Sequence, residues 1–273
     1  MNKIFIFDVD GTLTPSRQKM TTEFKEFFSE WVKKNKFYLV TGSDLPKLQE
    51  QMDFMDIEAE GIFTCCGNQF WKPDPSIVNV SAELIYENKF ELPKHLEIFL
   101  KIVLKNSEYP HRYGNHIEDR GSMVNFSIVG RDCTMEQRQE FFEWDNKHNE
   151  RKRIADIINK TTKGIEASIG GQISIDIYPE GKDKSQVIDV IKKREKADKY
   201  IFIGDRTMRG GNDFPLAYKM WEMDDCESYQ TDDIDNTIKL LKENDDTWIS
   251  NQPGGYKGTE SIKKMNQILR GNK

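Results

Sequence analysis

Short apolar runs that end on Asp, Gly or Thr set the pattern of the first fifty positions. Ile4 to Phe7 is unbroken and stops at Asp8, as a strand buried on both faces does. Phe24, Phe27, Phe28, Trp31 and Val32 then recur at i, i+3, i+4, i+7 and i+8. They form the stripe of an amphipathic helix with a lysine-rich outer face. Phe37 to Val40 is a second buried strand, closed by Thr41-Gly42-Ser43. Ser43 or Asp44 can cap the next helix, which carries Leu45, Leu48 and Met52. Strand, helix, strand in this order predicts an α/β sheet with crossover helices.

The middle of the chain changes period. Val124, Phe126 and Ile128 alternate with Asn125 and Ser127, and Ile173, Ile175 and Ile177 alternate with Gln172, Ser174, Asp176 and Tyr178. Alternation of this kind predicts antiparallel strands with one wet face. Between them a single long helix is expected from Met135 to Lys160, with Phe141, Phe142, Ile154, Ile157 and Ile158 as its buried stripe. The first pattern returns after Asp183: a helix over Gln186 to Lys193, then the buried strand Tyr200 to Ile203, ending in Gly204-Asp205. The expected architecture is a discontinuous parallel-sheet core, residues 1–80 and 183–273, with an α+β cap inserted over 81–182. The tail from Asn244 reads as a loop before a last helix near Glu260 to Leu269.

Composition narrows the function classes. A net charge of −6 argues against nucleic acid or an anionic membrane as the main partner, so positive charge that matters must be local to a pocket. The opening apolar run is too short for a signal peptide, and no run approaches a membrane span. Cys65, Cys66, Cys133 and Cys226 lack C-x-x-C spacing and read as reduced thiols of a cytoplasmic protein.

The chemistry gathers at the strand tips, where open parallel sheets bind ligands. Asp8-Val9-Asp10-Gly11-Thr12 follows the first strand, Thr41-Gly42-Ser43 the second, and Gly204-Asp205 a later one, with Gly210-Gly211-Asn212-Asp213 close behind. Phosphoryl transfer needs a nucleophile, a cation on the phosphoryl oxygens and donors around them. Asp8 can attack phosphorus, and Asp10 can act as acid and base on the leaving and entering oxygens. Asp8, Asp205 and the Val9 carbonyl region, with Asp10 counted among the metal residues, offer the hard oxygens that Mg2+ prefers. Thr41 or Ser43 can donate a hydroxyl to phosphate, and Lys184 can neutralise its charge. Each tip alone reads as an ordinary turn or helix cap; their order and strand context carry the reading.

The residues from Phe7 to Thr14, the Thr-Gly-Ser tip, Lys184 and Gly204-Asp205 resemble the four motifs of the haloacid-dehalogenase superfamily. Arg17-Gln18-Lys19, Gly42-Ser43-Asp44 with Gln49-Glu50-Gln51, Gly170 to Ser174, and Gly204 to Asp213 narrow the resemblance to the eukaryotic-type phosphomannomutases. That resemblance implies a Rossmann-like core with a cap, and interconversion of mannose 6-phosphate and mannose 1-phosphate through an aspartyl-phosphate. It implies Mg2+ and a hexose 1,6-bisphosphate activator, and a homodimer through the cap. It places Arg120, Arg131 and Arg138 of the cap on the phosphate that is not reacting, matches Arg17 to the family's substrate-binding core arginine, and places Ser174 and Asp176 on sugar hydroxyls. Two segments depart from the family: Cys65-Cys66-Gly67 stands for Glu-Asn-Gly, and Ala217 to Met220 does not reproduce a segment tied to a second cation. Three readings share these residues: a sugar-phosphate mutase, a sugar-phosphate phosphatase, and a non-catalytic phosphosugar-binding protein. The three cap arginines rank the mutase first, because a hydrolase need not grip a remote phosphate.

Overall fold

The computed structural model describes residues 1–53, 58–74 and 81–242; the expected tail loop and last helix lie outside them. Five parallel strands form the centre of a large sheet: β1 (Lys3–Phe7), β2 (Lys36–Val40), β3 (Gly61–Thr64), β10 (Lys199–Gly204) and β11 (Cys226–Gln230). Two antiparallel strands, β4 (Gln69–Asp74) and β5 (Ser81–Glu87), extend one side, giving the order β11-β10-β1-β2-β3-β4-β5. Residues 81–87, expected to begin the cap, thus pair with β4 in the large sheet. Nothing local distinguishes such an edge strand from the cap strands that follow, because pairing is a long-range property.

Alternate residues of β1 serve opposite faces. Phe5 and Phe7 pack with Phe24, Phe28 and Trp31 of α1 (Thr22–Trp31), with α2 (Leu45–Met52) and with α8 (Ile234–Lys242). Ile4 and Ile6 pack with α6 (Gln186–Arg194) and α7 (Phe214–Trp221). The sheet is therefore covered on both sides, as its unbroken apolar runs require. Asp44 caps α2 by accepting from the Lys47 amide at 3.1 Å, which settles the choice between Ser43 and Asp44.

A second, four-stranded antiparallel sheet has the order β6-β7-β9-β8, from β6 (Ile117–Asp119), β7 (Val124–Ser127), β8 (Ile165–Gly170) and β9 (Ser174–Pro179). Phe126, Ile175 and Ile177 pack beneath α3 (Lys94–Asn106), α4 (Met135–His148) and α5 (Glu150–Thr161). The opposite face carries Asn125, Ser174 and Asp176, and it is not wet: all three are buried. The alternation gave the faces correctly, but what covers the polar one is the rest of the protein.

The single helix expected over Met135 to Lys160 is two. Asn149 adopts a left-handed φ of 55° and ends α4, a conformation that asparagine tolerates better than most residues. The break resets the helical phase. Ile157 is exposed, and Phe142 leaves the core to line a cavity, while Phe141, Ile154 and Ile158 remain buried. Across the break, Asp145 accepts from the Arg151 amide at 2.9 Å and from its Nε at 2.7 Å. The same guanidinium donates from Nη1 to the Gly171 carbonyl at 3.0 Å.

Two chain crossings join the sheets, and both are fastened to one buried residue. Asn68 donates to the Lys182 carbonyl at 2.8 Å, and its own carbonyl accepts from the Asn88 amide at 2.8 Å. Gln186 Nε2 adds a bond to the Lys182 carbonyl at 3.1 Å.

Because Asp145 and Arg151 are both buried, removing one strands the other's charge. Asp145→Ala should lower stability by about 3–5 kcal/mol, read as a shift in the urea midpoint. A shift below about 1 kcal/mol would mean that solvent reaches Arg151 freely.

Candidate active site

The site is built where the tips of the parallel strands meet the polar face of the small sheet. The Asp8 amide donates to the Ile203 carbonyl at 3.0 Å, which carries the β1–β10 ladder one residue further and sets Asp8 beside Gly204-Asp205. The chain then turns sharply, with the amides of Thr12, Leu13 and Thr14 all on the Val9 carbonyl. Gly11 sits in this turn at φ +84°, and a Cβ there would lie 2.7 Å from Asp205 Oδ2. Gly204 is constrained likewise, since a Cβ would lie 2.6 Å from Asp213 Oδ2. Both glycines admit a carboxylate against the backbone.

Asp8, Asp205 and Asp213 each place a carboxylate oxygen within 4.8 Å of the others. Lys184, fully buried, donates to Asp8 Oδ1 at 2.6 Å and to Asp213 Oδ1 at 2.7 Å. Arg206 Nε stands 3.5 Å from Asp205 Oδ2, so two cations face three carboxylates and do not balance them. Burial first, then the charge of Asp213, raises the Asp8 pKa well above the ordinary carboxylate value. The same two causes push Asp205 up to about 7. A cluster of hard oxygens with an excess of buried negative charge fits a magnesium ion, and Asp8, Asp205 and Asp213 are the residues that would hold it.

Two expected ligands stand elsewhere. Oδ1 of Asp10 accepts from the Arg17 amide at 2.6 Å and from Gln51 Nε2 at 2.9 Å, so its carboxylate is outside the acidic cluster. The Val9 carbonyl is taken up by the three turn amides and the Thr14 hydroxyl. Asp213 was the residue that the motif reading left without a role. The glycine pair before it was the available signal, because a Cβ on Gly211 would lie 2.1 Å from the Arg206 carbonyl in the turn that leads to Asp213.

The other expected residues converge. Asp8, Asp10, Arg17, Thr41, Ser43 and Asp205 line one side of a cavity of ≈ 270 Å³. Arg120, Arg131, Arg138, Ser174 and Asp176 line the other. Lys184 lies beneath Asp8 instead of on the wall. The Thr41 hydroxyl accepts from the Ser43 amide at 3.0 Å, which closes the tip of β2. Arg131 Nη1 donates to the Ser174 hydroxyl at 3.0 Å. Asn125 Nδ2 donates to Asp176 Oδ1 at 2.6 Å, a cross-strand pair that sequence reading missed, since it needs the β7–β9 register. Arg206 and Asn212 also reach the wall.

The basic side of the cavity is under strain of its own. Burial, and then the charge of Arg17, brings the Arg138 pKa down to about 10. Burial lowers Arg17 as well. Arg131 Nε and Arg138 Nη1 are buried and have no hydrogen-bond partner among the described residues. Unpaired buried donors of this kind are costly, and an anion in the cavity would satisfy them.

Residues 24–244 match the sequence profile of the eukaryotic phosphomannomutases. The chain belongs to that family. A phosphomannomutase of Encephalitozoon cuniculi is 36% identical over 247 residues, 87% of this chain and 91% of that protein. The phosphomannomutase of Saccharomyces cerevisiae is 31% identical, over 88% and 93% of the two chains. Among solved structures, the IMP-bound IMP-nucleotidase of Plasmodium falciparum aligns with a TM-score of 0.58 at 16% identity, over 88% of this chain and 67% of that one. A trehalose-6-phosphate phosphatase related protein aligns at 0.50 and 17%, over 88% and 95%. At such identities the likeness is one of fold, the haloacid-dehalogenase type, and this phosphomannomutase family member shares its parallel core and separate antiparallel sheet.

The raised Asp205 pKa has a stability consequence whose sign is fixed. Its folded value, about 7, lies above the ordinary 3.8, so its contribution is present at low pH and is lost as pH rises through about 7. Without divalent cation, the melting temperature of the protein relative to an Asp205→Asn variant should fall between about pH 4 and about pH 7 and level off above that. Added magnesium should restore it, more at the higher pH. Scanning calorimetry of both proteins, with and without magnesium, reads the difference; a flat profile contradicts the assignment.

Proposed function

We propose that the protein interconverts mannose 6-phosphate and mannose 1-phosphate through an aspartyl-phosphate on Asp8, primed by a hexose 1,6-bisphosphate. The observation that carries this reading is the pair of buried, unpartnered donors, Arg131 Nε and Arg138 Nη1, in the same cavity as Asp8. They offer a second anion site besides the reacting one. A mutase needs both, since its bisphosphate exchanges ends between them, whereas a hydrolase needs only the first.

Asp8 Oδ1 is tied to Lys184, and Oδ2 has a 3.5 Å contact from the Thr12 hydroxyl, so Oδ2 is the freer oxygen for attack. Its attack forms the Asp8–phosphorus bond and breaks the bond from phosphorus to the sugar oxygen, which leaves with the electron pair. Asp10 supplies the proton to that oxygen and takes one from the hydroxyl that attacks next. Oδ1 of Asp10 already accepts two N–H groups, which leaves Oδ2 to carry the proton. Thr41 and Ser43 donate to the transferring group from the β2 tip. Asp8, Asp205 and Asp213 are the residues that would hold a magnesium ion, and such an ion would supply charge stabilisation to the phosphoryl oxygens. Ser174 and Asp176 line the same cavity, and the proposal assigns them to the sugar hydroxyls.

Asp8→Asn keeps the shape of the side chain but removes the nucleophile. Isomerisation of mannose 1-phosphate should fall by on the order of 10³ or more while the circular dichroism spectrum is kept. Near-normal turnover would remove Asp8 from this role.

Arg138→Ala should remove charge-assisted bonds worth about 1.5–3 kcal/mol from the distal phosphate. It should therefore cripple isomerisation and largely spare slow hydrolysis of an aryl phosphate, which has no second phosphate. Isomer and free phosphate are resolved by chromatography with the bisphosphate present. Release of free phosphate at every turnover of the wild type would favour the phosphatase.

A further inference from the structure

Glu118 does not line the cavity, yet one of its oxygens meets two of the guanidinium groups that do. Oε2 accepts from Arg120 Nε at 3.0 Å and from Arg120 Nη2 at 2.5 Å, and it lies 3.3 Å from Arg131 Nη2. Its side chain is 35% exposed, while those of Arg120 and Arg131 are 7% and 8% exposed. The carboxylate thus stands at the solvent edge of a buried cationic pair.

The donors of the two arginines are consequently divided. A guanidinium has five N–H groups in a fixed plane, so fixing one edge fixes the direction of the others. With Nε and Nη2 of Arg120 turned to Glu118, its Nη1 reaches across to the Gly42 carbonyl at 2.5 Å, at the tip of β2. Arg131 has Nη2 near Glu118 and Nη1 on Ser174, which leaves Nε as its unpartnered donor. Arg120 is also held in its charged form: burial acts against it, and Asp176 and Glu118 more than offset that. Take Glu118 away, and two buried guanidiniums face each other with no counter-charge on that side.

We propose that Glu118 is a positioning residue for the phosphosugar site, committing Arg120 to the Gly42 carbonyl and presenting Arg131 Nε to the ligand. The proposal rests on the mutase reading for the identity of that ligand. On it, the three cap arginines are not equivalent: Arg120 braces the cavity, and Arg131 and Arg138 supply the free donors.

Glu118→Ala and Glu118→Gln test this, with mannose 1-phosphate and a hexose 1,6-bisphosphate as ligands and an aryl phosphate as the control substrate. Loss of orientation by the alanine variant should raise KM for mannose 1-phosphate by about tenfold or more, with kcat changed by less than about threefold. Isomerisation should fall relative to aryl-phosphate hydrolysis, and the glutamine variant, which keeps an acceptor oxygen, should recover part of the loss. A wild-type KM in Glu118→Ala overturns the proposal. So does an equal loss of both activities with a lowered melting temperature, which is the mark of a merely structural residue. Absence of isomerisation in the wild type instead refutes the mutase reading itself, so the two failures are distinct.

Discussion

The ammonium of Lys184 is the group on which the rest of the site depends. Three carboxylates are drawn together at the strand tips, and burial of that much negative charge is unfavourable without compensation. Lys184 bonds two of them, and their charges raise its own pKa despite complete burial. The bonds also define the chain path. Asp8 ends β1, Asp213 precedes α7, and Lys184 arrives only after the whole small sheet has been traversed. One cation therefore joins three segments remote in sequence. The compensation is incomplete, and the remaining negative charge is what would favour a divalent ion there.

Much of this was legible in the sequence because strand tips are local features. An apolar run followed by Asp-x-Asp-Gly, Thr-Gly-Ser or Gly-Asp marks both the strand and what it presents. What was not legible depended on partners. Asn125 has the same alternation as Ser174 and Asp176, but only the β7–β9 register sets it opposite Asp176. Ser81 to Glu87 looks like any amphipathic strand until β4 claims it. The break at Asn149 turns on one left-handed residue within a pattern that reads as continuous, and beyond it Ile157 falls on the exposed side. Asp10 illustrates a different limit. Its spacing from Asp8 suggested a shared ion, whereas the Arg17 amide and Gln51 engage Oδ1 of its carboxylate, which is not one of the three that gather.

The cavity is electrostatically divided. Carboxylates dominate around Asp8, and guanidiniums dominate around Arg17 and Arg138, whose pKa values burial pulls down although the charge of Asp10 offsets part of the effect. Each half is left short of an opposite charge, the acidic half of a cation and the basic half of an anion. A ligand bearing anionic groups at both ends, bound with a metal ion, would satisfy both halves together. The Arg120–Gly42 bond crosses from one side to the other and ties the small sheet to the tip of β2.

The two crossings fastened at Asn68 give this arrangement a mechanical character. Lys182 and Asn88 belong to different passes of the chain between the sheets, yet both are bonded to the same buried side chain and backbone. They act as the spine of a book, and Arg120 on Gly42 acts as its clasp. A movement that preserves the bonds at the spine is a rotation about it, and the clasp is one of the contacts that would have to yield. Widening the cavity by such a rotation would break the Arg120–Gly42 bond and also part Cys65 and Cys66 from Met123 and Tyr178, so the clasp is a charge-assisted bond backed by a small apolar patch.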